Sequence, residues 1–118
     1  MTDVGRTISN QLQALTPTPV LWSWGATKFQ IIGVSTDRSR SIQGVGEDYA
    51  GGLLFFVRGK KHRGHVLITL AYNDTYTVSI GSVRKGKINP KKQVKDVFFD
   101  QLSDVVDELI EKQDNYAF

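Results

Sequence analysis

The side chains with the most chemical potential in this sequence are cations, and they fall in two dense clusters. Arg58-Gly59-Lys60-Lys61-His62-Arg63-Gly64-His65 is the first. Arg84-Lys85-Gly86-Lys87, extended by Lys91, Lys92 and Lys95, is the second. Fixed positive charge at this density suits phosphate, because each phosphate neutralised releases condensed counterions and the gain grows with the number of contacts. Glycines between the cations let the backbone approach an anion closely. The plain alternative is two solvated loops that aid solubility and tie to acids elsewhere. Between Arg58 and Lys95 only Asp74 interrupts the basic residues, whereas from Asp96 onward seven acids accompany one base, Lys112. A net charge of +3 thus hides a basic middle and an acidic tail.

Other reactive types are sparse. His62 and His65 lie three apart in the first basic cluster, where positive surroundings lower their pKa values and repel a metal ion. Glu47-Asp48 sits in a glycine-rich stretch, where a solvated loop outweighs cation binding or acid-base work. Gly44-Val45-Gly46 is too short, and wrongly placed, for a phosphate-binding fingerprint. No serine stands in a nucleophile elbow. The expectation is therefore no enzyme, no cofactor and no metal site. Trp22, Trp24, Tyr49, Tyr72 and Tyr76 offer faces for stacking on bases. The competing reading makes the tryptophans core and Tyr72–Tyr76 a cross-strand rung.

The elements that position these groups follow from hydrophobic spacing. Ile8, Leu12 and Leu15 fit a short helix, ended by Thr16-Pro17-Thr18-Pro19. Leu21 to Val34 reads as extended, with Phe29 and Ile31 on one face. The glycine- and serine-rich stretch 35–52 reads as a long loop. Leu53-Leu54-Phe55-Phe56-Val57 is apolar on both faces, as in a central, doubly covered strand. Residues 65–83 read as a hairpin. A three-residue loop at Asn73-Asp74-Thr75 pairs Tyr72 with Tyr76, Leu70 with Val78 and Ile68 with Ile80, keeping one apolar face; a two-residue turn with a bulge does the same. The opposite face (Leu67, Thr69, Ala71, Thr77, Ser79, Gly81) is small and moderately polar. A helix over roughly 96–113 is expected from the stripe Phe98, Leu102, Val105, Val106, Leu109, with Asp96 as cap or an earlier start at Asn89-Pro90. Its acids Asp100, Asp104, Asp107, Glu108 and Glu111 form a solvated face, a surface for a basic partner, a DNA mimic, or a field that steers nucleic acid to the other end.

Several of these residues form a pattern. Lys28-Phe29 with Gly33, Leu54-Phe55-Phe56, Val66-Leu67-Ile68-Thr69-Leu70-Ala71-Tyr72-Asn73-Asp74-Thr75-Tyr76-Thr77-Val78 and Asp96-Val97-Phe98-Phe99-Asp100-Gln101-Leu102 resemble a group of small proteins of bacteriophages and related mobile or metagenomic DNA. Thr27 stands where that group has Asn, and Phe98-Phe99 where it has Tyr-Ala. The resemblance spans about residues 27–110 and implies a phage or mobile-element setting. It brings no activity or site residues, and the shared positions read as structural.

The fold class expected is α+β: an antiparallel sheet of about four strands, meander or hairpin, packed against a C-terminal helix, with a short N-terminal helical arm. The division is an arm at 1–19, one domain at 20–113 and a tail at 114–118. With no cysteine, no leader-like N-terminus and no apolar run near the roughly 20 residues of a membrane span, a reducing, cytoplasmic setting without membrane contact is expected. In the hairpin register above, the two basic clusters lie at one end and converge. Nucleic acid is then the expected partner, held by Arg58, Lys60, Lys61, Arg63, Arg84, Lys85 and Lys87 with little sequence specificity. The alternative is a protein-interaction module: a structural or oligomeric phage component, or an inhibitor of a host enzyme.

Overall fold

Five stretches of the chain carry enough β-branched and aromatic side chains to pair, and they pair in chain order. The computed structural model describes residues 7–8, 10, 27–37, 41–58 and 62–110. Strands β1 (Thr27–Ile32), β2 (Tyr49–Arg58), β3 (Arg63–Ala71), β4 (Tyr76–Arg84) and β5 (Lys87–Val97) form one antiparallel meander, ordered β1-β2-β3-β4-β5. A 3-10 turn, Phe99–Gln101, leads into the helix α1, Leu102–Ile110. Among the described residues the fold is thus α+β, with five strands rather than about four.

Each face of the sheet is covered. On the helix face, Leu53, Phe55 and Val57 of β2, Val66 and Ile68 of β3, and Tyr76, Val78 and Ile80 of β4 pack with Leu102, Val106, Leu109 and Ile110. Ile8 of the N-terminal arm is fully buried in the same cluster, so the arm is tied to the domain at that residue. On the other face, Leu54, Leu67 and Ile88 pack with Ile32, Ile42, Val45 and Tyr49. The long loop before β2 supplies this cover. Tyr49 pins it: its hydroxyl donates to the Ile42 carbonyl and accepts from the Ile42 N–H, both at 2.8 Å. The polar residues of this face are therefore buried and bonded. Thr77 Oγ1 donates to Glu47 Oε1 at 2.6 Å, and Gln93 Nε2 donates to Ser79 Oγ and to the Val45 carbonyl, both at 2.9 Å. Leu53 to Val57 forms the doubly covered strand its composition implies, with only Phe56 half-buried.

The β3–β4 hairpin has the expected loop length in a different place. Leu70 pairs with Tyr76, Ile68 with Val78 and Val66 with Ile80. The loop is Tyr72-Asn73-Asp74: Ala71 N–H donates to the Thr75 carbonyl, Asp74 N–H donates to Ala71, and Asp74 adopts φ 67°. This is a tight turn followed by a left-handed residue, a common three-residue solution. The register is displaced by two residues, so every side chain keeps its face. Tyr72 leaves the expected rung and stands 63% exposed in the turn.

The larger correction is β5. Residues 96–97, expected to open the helix, are strand, and so is the stretch from Asn89-Pro90 that offered an earlier start. Lys85 and Gly86, at φ 54° and 74°, form a two-residue turn with both residues left-handed, the geometry whose twist suits a hairpin. Pro90 fits because β5 is an edge strand, where a missing N–H costs no ladder bond. Register shifts beside Gly81 and Tyr76 show where β5 bulges. Asp96 belongs to this strand, and it is Gln101 Oε1 that accepts the Phe98 N–H, at 3.3 Å. Phe98 is 57% exposed and outside the buried stripe, which runs through Leu102, Val106, Leu109 and Ile110. Of the extended stretch at 21–34, β1 begins at Thr27; Trp22 and Trp24 lie outside the described residues.

The basic end of the sheet and its rift

Strand direction places both basic clusters together. β2 ends and β3 begins at the same end of the sheet at which β4 ends and β5 begins. The closing rung of the first hairpin is Arg58↔Arg63, and that of the second is Arg84↔Lys87. All four side chains are exposed, as is Lys85 at the tip of the second turn. Among the described residues no carboxylate lies within ion-pair distance of these five. Lys60 and Lys61 lie outside the described residues. At about 4.8 Å per strand, the rim from β2 to β5 is ~14 Å wide.

The two pairs do not share a face. Counting along the pleat from Val57 and Ile80, Arg58 and Arg63 project to the loop-covered side, and Arg84 and Lys87 to the helix side. The expected single patch is thus a rim of cations pointing alternately above and below the sheet end. Like charges directly opposite on neighbouring strands repel, at a cost of roughly 0.2–1 kcal/mol per pair. Two such rungs at one end constitute a standing repulsion that an anion relieves.

The second turn is held from outside. Gln43 N–H donates to the Gly86 carbonyl and Ile88 N–H donates to the Gln43 carbonyl, both at 2.8 Å. Gly44 permits this approach: at φ 94°, an added Cβ would stand 2.3 Å from the Ile88 carbonyl oxygen. Of the two glycines in Gly44-Val45-Gly46, it is Gly44 that serves backbone contact; Gly46 takes a left-handed φ of 90° with open space around it. Glu47 and Asp48 are likewise engaged, by Thr77 and Ser35.

The acidic helix is not remote from the rim, contrary to its expected role of steering from the far end. It starts beyond β5 and runs back, so that the Ile110 carbonyl accepts the His62 N–H at 3.2 Å. The negative end of the helix dipole thus meets the first basic turn on the helix side. On the loop-covered side the neighbours are different. Lys28 Nζ stands 5.4 Å from the centre of the Phe56 ring, and Phe56 meets His65 edge-on with centroids 5.3 Å apart.

Between the two hairpins the sheet end opens. β3 and β4 cease to pair beyond His65↔Gly81, while β5 bulges against Gly81, whose added Cβ would lie 2.0 Å from the Asn89 carbonyl oxygen. The result is an open rift of about 500 Å³. Phe56, His62, Arg63, His65, Ser82 and Lys91 are among its walls. His62 is 5% exposed, with Nε2 3.0 Å from the His65 carbonyl. Burial is the leading cause that lowers both histidine pKa values from 6.5, with Lys91 adding to the effect at His62, and Lys28 and then His62 at His65. Desolvation, rather than the basic surroundings alone, keeps the rings neutral. A neutral His62 bonded to that carbonyl must carry its proton on Nε2, leaving Nδ1 as an acceptor.

Of the aromatics suggested for stacking, Tyr49 and Tyr76 are buried, and Tyr72 is exposed at the opposite end. Phe56, which sequence reasoning placed only in a core strand, is the ring beside the cations. Among the described residues no three His, Asp or Glu side chains group as metal ligands, and no helix is long and apolar enough to cross a membrane. No protein-family model matches the chain, and no curated protein and no solved structure shows significant similarity to it.

Proposed function

We propose that this protein binds nucleic acid through the basic end of its sheet, holding phosphates with little sequence specificity. The observation that carries the reading is the pair of like-charge closing rungs, Arg58↔Arg63 and Arg84↔Lys87, at one end of a rigid meander. A fold gains nothing from such rungs alone, whereas a phosphate backbone laid along the rim converts the repulsion into attraction. The bacteriophage or mobile-element setting implied by the resemblance belongs to this reading. Lysines 91, 92 and 95 have a second use, since cations on an edge strand oppose unwanted pairing with other chains. The test is a titration of a generic single-stranded oligonucleotide at increasing salt. Affinity should fall linearly on logarithmic axes, with a slope near −0.7 per phosphate contacted. Arg58→Glu with Lys85→Glu should flatten that slope. Absence of binding at low salt would refute the reading.

A second reading rests on the other end. Tyr72, Phe98 and Phe99 are 63%, 57% and 58% exposed where β3 turns into β4 and β5 ends. Exposed aromatics grouped at one end suit a protein interface, with a second copy or a host protein. A defined oligomer by sedimentation, dispersed by Phe98→Ser with Phe99→Ser, would favour it.

A further inference from the structure

We propose that the rift between the two hairpins seats one nucleotide of a single strand, with the base against Phe56 and His65 and its phosphate between Arg63 and Lys91. The inference rests on the nucleic-acid reading and narrows it to unpaired strands. Three features carry it. The first is size: about 500 Å³ falls in the range of small-molecule pockets and accommodates a base with its sugar and phosphate. The second is composition. A site for a bare anion needs only cations, yet this one brings together an aromatic ring, the imidazoles of buried His62 and half-buried His65, one guanidinium and one ammonium group. Phe56 offers an aromatic ring for stacking, with Lys28 Nζ 5.4 Å from its centre. His62 and Ser82 on its walls carry polar groups of the kind a base edge requires. The third is position. The rift opens at the cationic rim, so a backbone lying on Arg58 and Arg63 passes its mouth. Bases within a duplex are stacked and cannot enter; an unpaired base can be splayed into it.

The test compares three probes on the whole protein: a thymidine oligonucleotide, an abasic oligonucleotide of equal length and charge, and free thymidine monophosphate. The thymidine strand should bind about tenfold more tightly than the abasic strand, with equal salt slopes. Ser82→Tyr, which fills the rift from an exposed position, should abolish that difference and leave the slope unchanged. Because the abasic comparison alters the ligand alone, it stands even if the variant fails to fold. Equal affinity for the two strands overturns the nucleotide seat and leaves the phosphate rim intact. Monophosphate binding as tight as the strand overturns it also, in favour of a free-nucleotide site. Loss of salt-dependent binding to both strands overturns the nucleic-acid reading itself.

Discussion

Lys87→Glu separates what the basic rim does for the fold from what it does for binding. In the native protein Lys87 lies opposite Arg84, both exposed, at the last rung before the Lys85-Gly86 turn. A like-charge cross-strand pair costs, and an opposite-charge pair gains, some tenths of a kcal/mol. Solvent screening trims both terms for exposed groups, so the combined change is about 0.5–1 kcal/mol in favour of the variant. For a domain of this size that corresponds to a rise in Tm of about 2–4 °C at low salt. Near 1 M salt, with a Debye length of about 3 Å, the rise should vanish. Calorimetry or circular dichroism at the two salt concentrations reads it directly. The same variant should bind an oligonucleotide more weakly. A protein made more stable yet less able to bind is the signature of charge retained for a partner. A lower Tm at low salt, or a rise that survives high salt, would refute the facing of the two side chains.

Other perturbations address the fold that sets this geometry. Gly81→Ala pushes a Cβ to 2.0 Å from the Asn89 carbonyl oxygen, a backbone atom that cannot swing aside; urea denaturation should show a loss of about 2–3 kcal/mol, and a change below ~0.5 kcal/mol would contradict the close approach of β5. Leu102→Ala should cost about 2–4 kcal/mol by the same measurement, whereas Phe98→Ala should stay within ~0.5 kcal/mol, since Leu102 is fully buried and Phe98 more than half exposed. Thr77→Val leaves the Glu47 carboxylate without its donor and should cost about 1–2 kcal/mol, with faster amide exchange in the loop at 41–48. His62 and His65 have folded pKa values below 6.5, so the unfolded chain takes up more protons as pH falls. Their contribution is fully present above pH 6.5 and is lost as pH falls through the folded values. A double His62→Asn, His65→Asn variant should lose that dependence, and an unchanged profile would exclude the histidines as its source.

Much of the architecture was legible in the sequence because its signals were local and redundant. The apolar run at 53–57 and the alternation from Val66 to Ile80 identify strands whichever register they take. A displacement of two residues leaves their faces intact. The β5 strand was not legible because its apolar residues, Ile88, Val94 and Val97, are spaced by bulges that erase alternation. Asn89-Pro90 and Asp96 then imitate helix starts. Thr77 and Ser79 lie on the face that reads as small and moderately polar, yet each is 1% exposed; the loop that covers them is distant in the chain and shows no periodicity. The candidate site divides in the same way. That the two basic clusters share an end follows from strand direction. Their opposite faces depend on the position of the Lys85-Gly86 turn, which alternation did not reveal. The rift depends on where pairing stops, and Phe56 becomes its wall only through that three-dimensional arrangement.

Amide chemical-shift mapping during titration with a short single-stranded oligonucleotide tests the proposed contact surface most directly. Perturbations should concentrate at Arg58, Arg63, His65 and residues 84–87, and should fade as salt is raised. Shifts centred on Tyr72, Phe98 and Phe99, or no shifts at low salt, would contradict it.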